Sequence, residues 1–218
     1  MKTRSLPLLI VPILGALLAW IFRPPEVDWK TLESPSPLQI ESKSLSVPHG
    51  RDLDFICLPD SNLALSVIEV PASILALYPE ETNSHAGAIA FAKWLSARSG
   101  KTLRLPTAEE WRTAARAGIK NAEFAWGFGP ASPPKGLHFA LAKAPRNPGP
   151  AFGYGFKDLA GGKWEWTQEG LLLGSAWSEQ DPQTLYIDHA FTPPANYAGE
   201  DTAIRLLWEN PLHTLPQQ

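Results

Sequence analysis

A chain of 218 residues carrying a net charge of −3 can enclose one sizeable core but offers no basic surface for nucleic acid. Nine tryptophans and 22 prolines argue against a helical bundle and for a loop-rich domain with aromatic packing. The only cysteine, Cys57, leaves no partner for an intrachain disulfide or a cysteine-based zinc site. It lies in the apolar run Asp54-Phe55-Ile56-Cys57-Leu58, where burial keeps a thiol inert.

The first element is apolar. Lys2 and Arg4 precede an uncharged run over residues 5–22, and Arg23-Pro24-Pro25 closes it. That length is at the short end of a spanning helix, with Trp20 at the far interface. The excess of basic residues before the run places the N-terminus in the cytoplasm and the remainder outside it. A cleaved signal peptide is the other reading, although Ala16-Leu17-Leu18-Ala19 makes a poor cleavage site. Residues 1–23 are therefore assigned to a single-pass cell-membrane anchor. Residues 24–45, with Ser34-Pro35-Ser36-Pro37 at their centre, are assigned to a linker. Residues 46–212 form the domain and residues 213–218 a tail.

Within the domain, Arg51 to Leu58 and Leu63 to Val70 are short apolar runs separated by Pro59-Asp60-Ser61-Asn62 and predict a hairpin. Ala88, Phe91, Ala92, Leu95 and Ser99 keep helical spacing, and Gly100 supplies the C-terminal cap. Thr107-Ala108-Glu109-Glu110 is a capping box opening a second helix that ends near Gly118. A loop region rich in Gly, Pro and aromatics leads to Trp164-Glu165-Trp166, a strand with its indoles on one face and its acid on the other. Leu171 to Trp177 and Ala203 to Trp208 read as two further strands. A few strands, two helices and a long loop region give an α+β single domain.

Several of these segments resemble one family as an ordered set. Ala92-Lys93-Trp94-Leu95, followed by Arg104-Leu105-Pro106-Thr107-Ala108-Glu109-Glu110-Trp111, is similar to the helix-loop-helix signature of sulfatase-modifying-factor domains, the formylglycine-generating-enzyme-like proteins. Phe124-Ala125-Trp126-Gly127 resembles their aromatic-Pro-Trp-Gly motif. Gly155 to Thr167 resembles the segment that ends in Trp-Glu-Trp, Gly174-Ser175-Ala176-Trp177 their Gly-Gly-Ser-Trp, and Ile204-Arg205-Leu206 their Gly-Phe-Arg. The resemblance implies a C-type-lectin-like (sulfatase-modifying-factor) fold.

It also sets expectations for chemistry. The family's enzymes oxidise a substrate cysteine with a cysteine pair that holds copper. Between Trp177 and Arg205 this chain has no cysteine, and Cu(I) requires sulfur ligands, so a non-catalytic member is expected. The histidine-rich iron site of another branch sits in a separate helical domain that is not seen in this sequence. The five histidines, His49, His85, His138, His189 and His213, are scattered. The resemblance implies structural calcium on Asp158, the Gly161 and Lys163 carbonyls and Glu165. The alternative is that Asp158 caps the turn and Glu165 pairs with Arg104 or Arg205. Where the family carries a second calcium ligand, after Lys135-Gly136-Leu137-His138-Phe139-Ala140, this chain has Leu141, which cannot ligate a metal.

The expected function is a membrane-anchored extracytoplasmic binding or accessory module that meets a protein or envelope ligand through the loops at 178–202. Tyr186, Phe191, Tyr197 and Trp208 are its candidate contact aromatics. The alternative is an enzyme of unknown chemistry with a mononuclear metal site.

Overall fold

A computed structural model describes residues 40–47, 51–129 and 133–211. The candidate anchor at 5–22, most of the linker and the tail lie outside these residues. Among the described residues no helix is long and apolar enough to cross a membrane.

The main sheet is built from β1 (Ser42–Val47), β2 (Arg51–Cys57), β3 (Leu63–Ser66), β4 (Thr102–Arg104) and β10 (Leu207–Glu209), in the order β1-β2-β3-β10-β4. All its pairings are antiparallel, with Phe55 opposite Ser66 and Trp208 between Ala64 and Leu103. The β2–β3 hairpin is the one expected around Pro59-Asp60-Ser61-Asn62. β1 begins inside the stretch that composition assigns to the linker: Ser42 pairs with Ile56 and Leu45 with Leu53. The folded unit therefore starts ahead of residue 46. Leu45 and Val47 alternate with serines, so a strand with one apolar face was readable there.

Strand alternation sends neighbours to opposite faces. Leu53, Phe55, Ala64, Leu103 and Trp208 join one buried cluster with Ala88, Phe91, Ala92 and Leu95 of helix α2 (His85–Ser99). Ile56, Leu65 and Leu207 join the other with Ala108, Trp111, Ala114 and Ala115 of helix α3 (Ala108–Arg116). A short helix α1 (Ala72–Leu75) buries Ile74 in the first cluster. Ser84 caps α2 through the Gly87 N–H, and Gly100 closes it in the left-handed region at φ 66°. Thr107 and Glu110 form both bonds of the capping box on α3. This helix turns out of the helical path one residue before Gly118, at Ala117 with φ 47°.

Glu110 has a second task. Its carboxylate takes a forked pair of bonds from Arg104, 2.7 Å each, while the Arg104 Nε–H donates to Glu209 at 2.6 Å. Arg104 is thus an ion-pair partner tying β4, β10 and α3 together. The Arg104 guanidinium, aided by the Thr107 N–H, holds the Glu110 carboxyl down at about 2. A lowered acid stabilises the fold above its ordinary value of about 4.5, and that contribution disappears as pH falls toward 2. Melting curves between pH 5 and 2.5 are expected to shift downward. In Glu110→Gln, which preserves a capping box, that slope is expected to flatten.

The remaining strands are short. β5 (Ala151–Phe152) pairs with β6 (Phe156–Lys157), and β7 (Trp164–Trp166) lies between β8 (Leu172–Leu173) and β9 (Thr202–Ala203). β7 and β9 run parallel. The expected strands at 171–177 and 203–208 are each truncated. The first stops at Gly174 and Ser175, both at positive φ; in the second, the chain leaves β9 at Ile204 and enters the main sheet as β10.

Candidate functional site: an acidic cavity behind the Trp-Glu-Trp strand

Glu165 is the centre of a sealed ion pair. Both its side chain and that of Arg205 are fully buried, with Nη2 2.6 Å from Oε1. Arg205 Nε–H donates to both carboxylate oxygens, and the indole N–H of Trp111 donates to Oε2 at 2.6 Å. The other ends of the guanidinium reach the Ser66 and Lys157 carbonyls, 2.7 Å each. Burial works against the charge on Arg205, but Glu165, joined by Glu69 and Asp158, outweighs it and the pKa is raised. Of the two arginines that the sequence offers as partners for Glu165, the structure selects Arg205.

Asp158 adopts φ 56°, an uncommon conformation for a side chain that asparagine and aspartate tolerate best. The turn points its carboxylate at a neighbouring loop, where the Gly149 N–H donates to Oδ1 at 3.0 Å and to Oδ2 at 2.9 Å. His138 Nδ1 lies 3.0 Å from Oδ1; because a carboxylate only accepts, Nδ1 carries the hydrogen. The His138 carbonyl in turn accepts from the Gly162 N–H at 2.9 Å. Asp158 thus joins three loops, and its carboxylate bonds the 138 and 149 loops rather than capping its own turn.

Glu69 was not expected here. Its Oε1 accepts from the Lys163 N–H at 2.9 Å, and it reaches this point over Gly162. A Cβ placed on Gly162 would come 2.9 Å from Glu69 Oε1 and 3.1 Å from Asp158 Cγ, so glycine leaves room for both carboxyls. Burial pushes the Glu69 carboxyl up to about 8, and the nearby Glu165 and Asp158 carboxylates add to the shift against the pull of Arg205. A sequence signal existed: Glu69 is the one charge in Val67-Ile68-Glu69-Val70-Pro71.

These groups line a cavity of about 320 Å³. Glu69, His138, Asp158, Gly162 and Lys163 form its polar side, with Arg146 also in its wall; Ile68, Val70, Leu75 and Pro148 are among its apolar walls. Lys163 Nζ is turned outward, donating to the Glu200 carbonyl at 2.9 Å. Thr202 lines the cavity too, but its hydroxyl donates toward the Asn83 and Gly199 carbonyls.

The four groups that the resemblance offers to calcium can be tested against this geometry. Calcium takes six to eight oxygens at about 2.3–2.6 Å. Glu165 supplies none freely, because Arg205 and Trp111 occupy both of its oxygens. Asp158, Gly161, Lys163 and Glu165 therefore do not fit a calcium cage as they stand. Among the described residues no three His, Cys, Asp or Glu side chains converge at metal-binding distance. The expected result is a melting temperature unchanged by millimolar calcium or by a chelator, measured on the same preparation.

The candidate contact aromatics separate differently from expectation. Trp208 is buried, packing edge-on against Phe55 with centroids 5.5 Å apart. Phe191 and Tyr197 are partly buried against the core, 5.7 Å from each other. Tyr186 alone of the four is exposed. Cys57 is partly buried on β2, and burial pushes its thiol up.

Comparison with known proteins agrees with the order of motifs. Residues 69–176 match the family described as sulfatase-modifying factor enzyme 1-like domain. Formylglycine-generating enzyme of Mus musculus is 29% identical over 131 residues, covering 52% of this chain and 30% of its own length. The enzyme of the same name from Thermomonospora curvata is 32% identical over 118 residues, covering 45% and 36%. The chain thus spans about a third of the length of the curated relatives it matches. Two solved structures share the fold at low identity. Treponema denticola variable protein 1 has a TM-score of 0.60 at 13% identity, covering 77% of this chain and 99% of its own. PvdO from Pseudomonas aeruginosa has a TM-score of 0.51 at 16% identity, covering 78% and 92%. The fold, the ordered motifs and the match over residues 69–176 place this chain in the sulfatase-modifying-factor, or formylglycine-generating-enzyme-like, domain family.

Proposed function

We propose that this chain is a binding or accessory module on the sulfatase-modifying-factor fold, without formylglycine-generating activity. It is held outside the cytoplasm by residues 5–22. The observation that carries the first part is the absence of any cysteine from Trp177 to Arg205, where the catalytic relatives place their pair. The one thiol, Cys57, sits in the main sheet with a raised pKa, the reverse of what a thiolate ligand requires. The positive side of the proposal rests on the cavity. It has a polar floor and apolar walls of a size that suits a small ligand. The one hydroxyl among its described lining residues, that of Thr202, is spent on backbone carbonyls. The cavity supports this reading better than the loops at 178–202, whose aromatics are mostly packed inward.

One observation favours a second reading. A carboxyl near 8 beside the His138–Asp158 pair is the type of group that acts as a general acid, which keeps an enzyme of another chemistry in view. Incubating the full chain, with and without added copper, with a cysteine-containing sulfatase peptide separates the first reading from the family activity. No aldehyde is expected by mass spectrometry, and aldehyde formation would overturn the proposal. For topology, a reporter fused after Gln218 is expected to score extracytoplasmic.

A further inference from the structure

We infer that the cavity beside β7 binds a small aliphatic zwitterion, with its ammonium between Glu69 and Asp158 and its anionic group toward Arg146. The inference deepens the binding reading above and rests on it.

The first argument is charge. Glu69, Asp158 and Glu165 lie close enough to act on one another and on Arg205. Arg205 is committed to Glu165 through three short bonds. That leaves Glu69 and Asp158 with His138 as the facing side-chain partner. Glu69 Oε1 takes one backbone N–H, and among the described residues no hydrogen bond reaches Oε2. An incoming ammonium carries three donors and can serve Glu69 Oε2 and Asp158 Oδ2 together, and its positive charge favours the ionised form of Glu69 that burial and the neighbouring carboxylates oppose.

The second argument distinguishes an organic cation from a metal ion. A hard divalent ion needs several oxygens converging on one point, and among the described residues no three His, Cys, Asp or Glu side chains converge in that way. An ammonium needs only hydrogen-bond distances, and two carboxyls straddling Gly162 supply those.

The third argument concerns the body of the ligand. Ile68, Val70, Leu75, Ala144, Pro145 and Pro148 face the cavity. Such walls gain from removing methylenes from water, about 0.8 kcal/mol each, and contribute nothing to a bare ion. The volume, about 320 Å³, equals on the order of ten waters at roughly 30 Å³ each, enough for a chain of several carbons. Arg146, on the exposed rim, has no ion pair among the described residues. A cation at the rim disfavours a diamine and favours an anionic group at the far end.

Isothermal titration of the full chain with 6-aminohexanoate, hexylamine and hexanoate tests this. The order expected is 6-aminohexanoate tightest, hexylamine weaker and hexanoate without binding. Glu69→Gln is expected to weaken 6-aminohexanoate about tenfold or more. Arg146→Ala, on the exposed rim, is expected to reduce it to the level of hexylamine and leave hexylamine unchanged. Melting curves confirm that each variant is folded. Hexanoate binding as tightly as 6-aminohexanoate, no heat from either amine at about 10 mM, or wild-type affinity in folded Glu69→Gln would each overturn the inference. None of these outcomes produces an aldehyde on a sulfatase peptide, so failure here is distinct from failure of the proposed function.

Discussion

Arg205→Met is expected to destabilise the domain by about 3–5 kcal/mol, the range for removing one partner of a buried ion pair. Most of that loss is the penalty of a charged Glu165 left in a fully buried position, with Trp111 as its remaining donor. The Ser66 and Lys157 carbonyls also lose their guanidinium donors. The double change Arg205→Met with Glu165→Leu is expected to recover a large part of the loss, because it removes the unpaired charge. Urea unfolding of the wild type, both single variants and the double variant measures this. Equal losses for the double variant and the sum of the singles would mean that the two side chains act independently. The same pair answers how the loop at 158–165 stays ordered: a guanidinium stands where the resemblance expects a divalent ion to pull on Glu165.

Gly161→Ala is expected to cost about 3 kcal/mol. The residue sits at φ 73°, where a side chain costs roughly 1–2 kcal/mol, and a Cβ would press directly on the His138 carbonyl oxygen. That oxygen is backbone and is already bonded to the Gly162 N–H, so it cannot swing aside as a side chain would. Overpacking of this kind adds about 1–3 kcal/mol. The variant is also expected to loosen the cavity floor, since His138 and Asp158 move together. Thermal melting reads the first effect, and loss of 6-aminohexanoate binding reads the second.

Much of the fold was legible because its signals are local. The capping box at Thr107 and Glu110, the spacing of Phe91 and Leu95, and the turn at Pro59 to Asn62 each depend on neighbours within a few residues. The strands that were overextended fail for the opposite reason. Leu63 to Val70 looks like one strand, yet after Ser66 the chain bonds in turn to Asp54, Lys157 and Ile204, partners that no local pattern reveals. The site was half legible. Asp158 and Glu165 were found through the odd Trp-Glu-Trp, and Arg205 was one of two candidates. Glu69 was missed because its role depends on Gly162, 93 positions later in the numbering, leaving it room. Trp208 was misplaced because a residue near the last loops reads as peripheral, whereas tertiary pairing puts it between Ala64 and Leu103.

The order of the main sheet bears on how the protein can be made. β10 lies between β3 and β4, so the hairpin of β2 and β3 cannot be joined to β4 until residues 207–209 arrive. A nascent chain emerging from the ribosome or a translocon holds the β1–β3 sheet apart from the lone strand β4 through some hundred residues of synthesis, with Leu65 and Leu103 lacking their final neighbour. Assembly of the main sheet must then wait until residues 207–209 have been made. During that interval the open strand edges are exposed to any chaperone or aggregation partner that binds extended chain.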